Sequence, residues 1–167
     1  MNAPAWLTAQ PIAHRGLHDE ARGIIENSIA AAAAAIAKNY AIECDVQCTK
    51  DGEAVVFHDF ALDGLTRAKG DIFSFTTAEV TRLAYREGGG RIVALPDFLA
   101  EVGGRVPLII EIKSRFNGDM RLAARVASLA AAYPGPVANT EFRPGCSSPM
   151  PGRHRLPARP RRASELR

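Results

Sequence analysis

Hydrophobic and polar positions alternate most clearly in Ala41-Ile42-Glu43-Cys44-Asp45-Val46-Gln47-Cys48. Period two predicts a β-strand with Glu43, Asp45 and Gln47 on one face and Ile42, Cys44 and Val46 on the other, packed face. Two acids two residues apart on an otherwise apolar strand repel each other and resist burial. A cation or a cationic side chain is therefore expected between them. Asp51-Gly52 predicts a turn, and residues 53–58 a following strand with Ala54, Val56 and His58 on one face. Residues 11–16 predict a short strand in which Ile12 and His14 share a face, with Gly16 permitting a sharp exit. Residues 106–113 form the most apolar strand, and Ile109, Glu111 and Lys113 share one of its faces.

Between these strands the period changes to that of a helix. The alanine-rich stretch 29–39 follows Glu26-Asn27-Ser28 and predicts a helix capped by Asn27 or Ser28. Its small residues suit close packing on a sheet. Residues 77–85 predict a short helix capped by Thr76 or Thr77 and stopped by Gly88-Gly89-Gly90. Pro96 marks the start of a helix that ends at Gly103-Gly104. Residues 119–133 predict a helix with Leu122, Val126, Leu129 and Ala130 as its buried stripe and Asp119 as a cap. Pro134-Gly135-Pro136 breaks it, and 136–139 begin a fifth strand.

Strands alternating with helices predict an α/β protein with a parallel sheet, in which functional groups gather at the strands' C-terminal ends. Each apolar strand does end in polar residues: His14-Arg15, Glu43/Asp45, His58-Asp59 and Glu111/Lys113.

Composition adds three limits. The chain of 167 residues is long enough for one ordinary domain, with no run of about twenty apolar residues to span a membrane. Its first ten residues lack the pattern of a secretory signal, and Cys44, Cys48 and Cys146 lack zinc spacing. Buried free thiols and a reducing cytoplasm are the expectation. The net charge of +3 divides unevenly: the stretch from Arg143 to Arg167 has seven arginines and one acid, Glu165, leaving the rest of the chain at −3. The basic balance thus belongs to the tail and implies no nucleic-acid partner for the body.

The polar strand ends suggest specific chemistry. Glu43, Asp45 and Glu111 supply three hard oxygen ligands, suited to Mg²⁺ or Ca²⁺. The competing arrangement is a buried ion-pair network with Arg15 and Lys113. His14 and His58 lie on different strands, and two histidines facing one site can serve as a general acid and base pair. Arg15 grips phosphate oxygens with its fork and Lys113 supplies a point charge. Together these groups point to phosphoryl or phosphodiester chemistry.

His14-Arg15-Gly16, Glu26-Asn27-Ser28, the run from Glu43 to Gly52, Val55-Val56-Phe57-His58-Asp59 and Glu111-Ile112-Lys113 resemble the glycerophosphodiester phosphodiesterase family in order and spacing. The resemblance covers roughly residues 10–135. It implies a TIM barrel and one divalent cation. It also implies hydrolysis of small glycerophosphodiesters to sn-glycerol 3-phosphate and an alcohol. Residue by residue, it makes Glu43, Asp45 and Glu111 the metal ligands and His14 and His58 the acid–base pair. Arg15 and Lys113 become phosphate contacts, and Glu26 a support for Arg15. One departure is Gly64, which stands where the family pattern has an arginine that would pin the loop after His58.

A closed barrel of eight strands takes about 250 residues. Four to five strands are expected here, hence an incomplete barrel over 1–139. The stretch 140–167 is rich in Arg and Pro and is expected to be disordered, or read in a shifted frame. Self-association through unpaired barrel edges follows from that expectation. The alternatives are a phospholipase D of the sphingomyelinase type and, from another class, an inactive fragment or a binding module using the basic tail.

Overall fold

The computed structural model describes residues 4–115 and 117–141. The expected tail lies, beyond residue 141, outside the described residues.

Strand β2 (Ala41–Cys48) sits at the centre of a six-stranded sheet. Along one edge it pairs in parallel with β5 (Leu108–Ile112), from Ile42 with Leu108 to Val46 with Ile112. Its other edge is shared. β1 (Ile12–Ala13) pairs in parallel at Ala41 and Ile42, and β3 (Ala54–Val56) pairs antiparallel at Val46, Gln47 and Cys48. β4 (Val93–Ala94) extends β3 antiparallel, and β6 (Val137–Glu141) extends β5 in parallel. The sheet is therefore mixed, not parallel throughout as expected. A short connection over residues 49–53, with Gly52 at φ 82°, returns the chain beside β2 and leaves no room for a crossover.

The parallel strands β1, β2, β5 and β6 alternate with helices α1 (Ile29–Ala37), α3 (Leu95–Val102) and α4 (Arg121–Ala131), which cover one face. Ile42, Cys44, Val46, Leu108 and Ile110 point into that layer and are fully buried, as the period of two requires. Ser28 caps α1 by accepting from the Ala31 amide at 3.1 Å. The alanines of α1 allow the close approach expected of them: Ala31, Ala32 and Ala35 are fully buried. A Cβ on Gly16 would lie 2.8 Å from the Ala31 Cβ, so both residues must be small. Phe98 of α3 is 1% exposed at the centre of this layer. Phe98→Ala is expected to lower the unfolding free energy by about 3–5 kcal/mol, read from the urea midpoint.

A second apolar cluster lies beneath the segment that follows β3, around Val55, Phe57, Leu62, Ile72, Val80 and Tyr85. Here two expectations change. The strand over 53–58 stops at Val56 and the chain bends at His58. A regular continuation would have turned His58 toward the helices with Val56; instead the Gln47 amide, on the opposite face of β2, donates to the His58 carbonyl at 2.8 Å. The helix over 77–85 is a single turn, α2 (Thr77–Val80), closed at its start by reciprocal bonds between Thr76 and Glu79. Its end is set by tertiary pairing and not by the glycines, because Ala84 bridges Arg91 and Tyr85 bridges Thr66. The loop around Gly64 is pinned by another arginine: Arg86 Nη2 donates to the carbonyls of Asp63 at 2.7 Å and Thr66 at 2.8 Å.

α4 is shorter than its periodicity suggested. Asp119 stands just before it and accepts from the Arg121 amide at 3.0 Å, while Tyr133 leaves the helix to accept from the Gly104 amide at 3.1 Å. No helix among the described residues is long and apolar enough to cross a membrane.

Candidate active site

The face of β2 turned away from the helices carries Glu43, Asp45 and Gln47. Parallel register with β5 puts Asp45 beside Glu111 and Glu43 beside Ile109. One carboxylate oxygen from each of Glu43, Asp45 and Glu111 lies within 4.8 Å of the others. Asp45 is 1% exposed and Glu43 9% exposed, so a dense negative charge is held largely out of water.

Cationic groups surround it. Lys113 Nζ lies 2.5 Å from Glu111 Oε1 and 2.9 Å from Asp45 Oδ1. Arg15 Nε stands 3.2 Å from Asp45 Oδ2, and Arg15 Nη1 donates to both oxygens of Glu26, at 3.0 and 3.1 Å. The Arg15 backbone amide donates to Glu43 Oε2 at 2.9 Å. His14 Nε2 is 3.9 Å from that same oxygen, on a side chain 69% exposed. His14, Arg15, Glu26, Glu43, Asp45, Glu111 and Lys113 thus form one connected set. The hydrogen bonds of His58 lie outside this set: its carbonyl accepts from the Gln47 amide at 2.8 Å, and its Nδ1 lies 2.6 Å from Asp59 Oδ1.

Asn27 is a site residue that the strand pattern did not reveal. Its amide nitrogen donates to Asp45 Oδ2 at 3.0 Å and its amide oxygen accepts from the Asp45 backbone at 3.1 Å. Arg15 and Asn27 both adopt left-handed backbone, at φ 57° and 54°. They are two of only three non-glycine residues that do so among the described residues, the third being Asn39. Each such residue costs on the order of 1–3 kcal/mol, and the cost concentrates where the chain must turn two side chains toward Asp45. The signal available in the sequence was the middle residue of Glu26-Asn27-Ser28, left over once Glu26 and the Ser28 cap had been explained.

The electrostatics reflect the crowding. Burial, reinforced by the charges of Asp45 and Glu111, pushes the Glu43 carboxyl up to about 7 against the opposing Arg15 amide and Lys113. For Lys113, burial alone would lower the pKa, but the carboxylates of Glu111 and Asp45 outweigh it and raise the value. Glu43 Oε1 is buried and accepts no hydrogen bond from any described residue. Three converging hard oxygen donors with one unsatisfied oxygen among them fit a divalent cation.

The family model described as the glycerophosphoryl diester phosphodiesterase family matches residues 14–131, well over half of the chain. The chain belongs to that family. Its members have a fold of the TIM-barrel type and are in general metal-dependent. A glycerophosphodiester phosphodiesterase of Caldanaerobacter subterraneus is 38% identical over 111 residues, covering 62% of this chain and 44% of the relative. A second relative of that name, from Bacillus subtilis, is 36% identical over 84 residues, 46% of this chain and 26% of its own length. Among solved structures, a glycerophosphodiester phosphodiesterase from Agrobacterium tumefaciens superposes with a TM-score of 0.64 at 27% identity, over 80% of this chain and 58% of that one. A phosphodiesterase from Oleispira antarctica, solved with the product sn-glycerol-3-phosphate, shares the fold at a TM-score of 0.69 and 24% identity, over 80% of this chain and 57% of that one. The chain spans less than half the length of these curated relatives and under three fifths of the solved chains.

Proposed function

We propose that the site hydrolyses glycerophosphodiesters to sn-glycerol 3-phosphate and an alcohol. The observation that carries this reading is the convergence of three carboxylates with Arg15 and Lys113 on one strand face, within the segment matched by the family. Glu43, Asp45 and Glu111 would hold one cation, Mg²⁺ or Ca²⁺. When bound, it supplies Lewis-acid stabilisation of a phosphoryl oxygen.

This chain's residues do the rest. Arg15, braced by Glu26, and Lys113 bind non-bridging oxygens and offset the charge that develops in the transition state. His14 and His58 divide the proton work: one takes a proton from the attacking oxygen and the other gives one to the leaving alcohol. Asp59 faces His58 Nδ1, which leaves Nε2 as the working nitrogen.

His14→Ala, His58→Ala and Glu43→Ala are each expected to lower the turnover of glycerophosphocholine by about 10²–10⁴-fold while leaving far-UV circular dichroism unchanged. Turnover that persists in all three variants contradicts the assignment.

Two further features belong to the same reading. The free thiols of Cys44 and Cys48 support a reducing, cytoplasmic setting. Among the described residues β6 pairs only with β5, and its open edge supports self-association of the chain; sedimentation that stays monomeric across a hundredfold concentration range contradicts it.

A further inference from the structure

The two oxygens of Asp45 have different partners. Oδ2 accepts from the Asn27 amide nitrogen at 3.0 Å and faces Arg15 Nε at 3.2 Å. Asn27 also holds the Asp45 backbone amide, so this buried carboxylate is fixed in place. Oδ1 is therefore the oxygen that Asp45 can offer a divalent cation. Lys113 Nζ stands 2.9 Å from that same oxygen and 2.5 Å from Glu111 Oε1. The ammonium thus touches two of the three carboxylates that converge within 4.8 Å. Glu111, with a side chain 24% exposed, has a second oxygen to turn toward a cation. Asp45 has none, because Asn27 and Arg15 hold Oδ2. Lys113 and a divalent cation would share one oxygen.

The two cationic side chains differ in their freedom to yield. Arg15 is held by both oxygens of Glu26, and its own amide is bound to Glu43 from a left-handed backbone. Lys113 is anchored at its backbone, whose amide donates to the Val46 carbonyl at 3.1 Å and continues the pairing of β2 with β5. Beyond that anchor runs a flexible four-carbon stem ending in three rotatable donors. The ammonium can leave Asp45 while the strand stays paired. The charges favour that movement. With Glu43, Asp45 and Glu111 ionised, Arg15 and Lys113 together leave one net negative charge, whereas Arg15 alone leaves two, matching a divalent cation. We infer that Lys113 is an internal counter-ion that competes with the divalent cation for Asp45 Oδ1, lowering the cation's affinity and turning from Asp45 toward phosphate when the cation binds. Lys113 is thereby a positioning residue that links cation binding to phosphate binding, in addition to being a phosphate contact. The inference rests on the cation site proposed above.

The test is the binding of Ca²⁺ alone to the purified full chain, measured by isothermal titration calorimetry without substrate. Lys113→Met and Lys113→Gln both remove the charge, and the second keeps a polar end. Each is expected to bind Ca²⁺ about tenfold more tightly than wild type, because like charges sharing one oxygen repel. Tighter binding is a gain that damage to the fold does not produce. A second measurement needs no variant. In wild type, acetylation of Lys113 by acetic anhydride, read by peptide mass spectrometry, is expected to rise about fivefold on saturation with Ca²⁺ as the ammonium leaves its ion pairs. Acetylation of the exposed Lys38 should stay unchanged. Equal or weaker Ca²⁺ binding in a folded variant overturns the inference and leaves the cation site standing. So does acetylation of Lys113 that Ca²⁺ slows or leaves unchanged. Failure of wild type and both variants to bind Ca²⁺ removes the cation site itself, and the inference with it.

Discussion

Asp45→Ala is expected to destabilise the chain by about 3 kcal/mol and to remove hydrolysis, whereas Asp45→Asn keeps most of the stability and still loses about 10²–10³-fold in turnover. Asp45 is 1% exposed and its carboxylate faces Asn27, Arg15 and Lys113 at 3.0, 3.2 and 2.9 Å. Truncating it leaves two buried cations short of one partner each. Removing one partner of a buried ion pair costs about 3–5 kcal/mol, and the lower end applies here for two reasons. Arg15 keeps Glu26 and Lys113 keeps Glu111, and Glu43 is relieved of a neighbouring charge. Asparagine preserves the shape and an oxygen for Lys113 while withdrawing the negative charge. The pair of variants separates fold from chemistry: urea midpoints report the first and product formation the second. Equal stability losses in the two variants would mean that charge, not shape, holds the site together, and would contradict this expectation.

The second large effect is on the pH dependence of stability. Glu43 has its carboxyl pushed up to about 7 in the folded chain, against an ordinary value of 4.5. Folding therefore disfavours the ionised form. The penalty is absent below about pH 4.5, grows as pH rises, and is complete above about pH 7, where it reaches roughly 3 kcal/mol. The groups facing Glu43 are Asp45 from the same strand, Glu111 and Lys113 from β5 and its end, and His14 and Arg15 from the end of β1. Wild type should lose stability relative to Glu43→Gln as pH rises from 5 to 8, in metal-free buffer containing chelator. Saturating Mg²⁺ or Ca²⁺ should flatten that difference, because a cation favours the carboxylate. A difference that is flat in chelator, or wild type that gains stability relative to Glu43→Gln as pH rises, would show that Glu43 is not held in this strained ionisation.

The parts of the site that lie on strands were legible in the sequence, and for a simple reason. Period two alone orients Glu43 and Asp45 together, and parallel pairing with an equally apolar strand brings Glu111 alongside. Lys113 follows two residues later on the same face. What the pattern missed depends on the chain leaving regular structure. Asn27 reaches Asp45 across eighteen residues of sequence from a left-handed backbone, and no periodicity encodes that. His58 was assigned to a strand face, but the strand ends at Val56 and the chain bends at His58, so the period of two no longer applies there. The segment after His58 shows the same limit. Arg86 replaces the expected anchor at position 64 by binding carbonyls, which every residue has, so no side-chain motif marks the partner positions. The helix packing, in contrast, followed directly from composition: Gly16 against Ala31 needs two small residues, and the alanine run supplies one of them.

The central claim is that the carboxylate cluster of β2 and β5 is a cation-dependent phosphodiester-cleaving centre. It is tested most directly by following release of sn-glycerol 3-phosphate from glycerophosphocholine by the purified full chain, first with Mg²⁺ or Ca²⁺, then with excess chelator, then with the cation restored. The account predicts product in the first case, loss of at least about 10²-fold in the second, and recovery in the third. Product formation at an undiminished rate in chelator would contradict it.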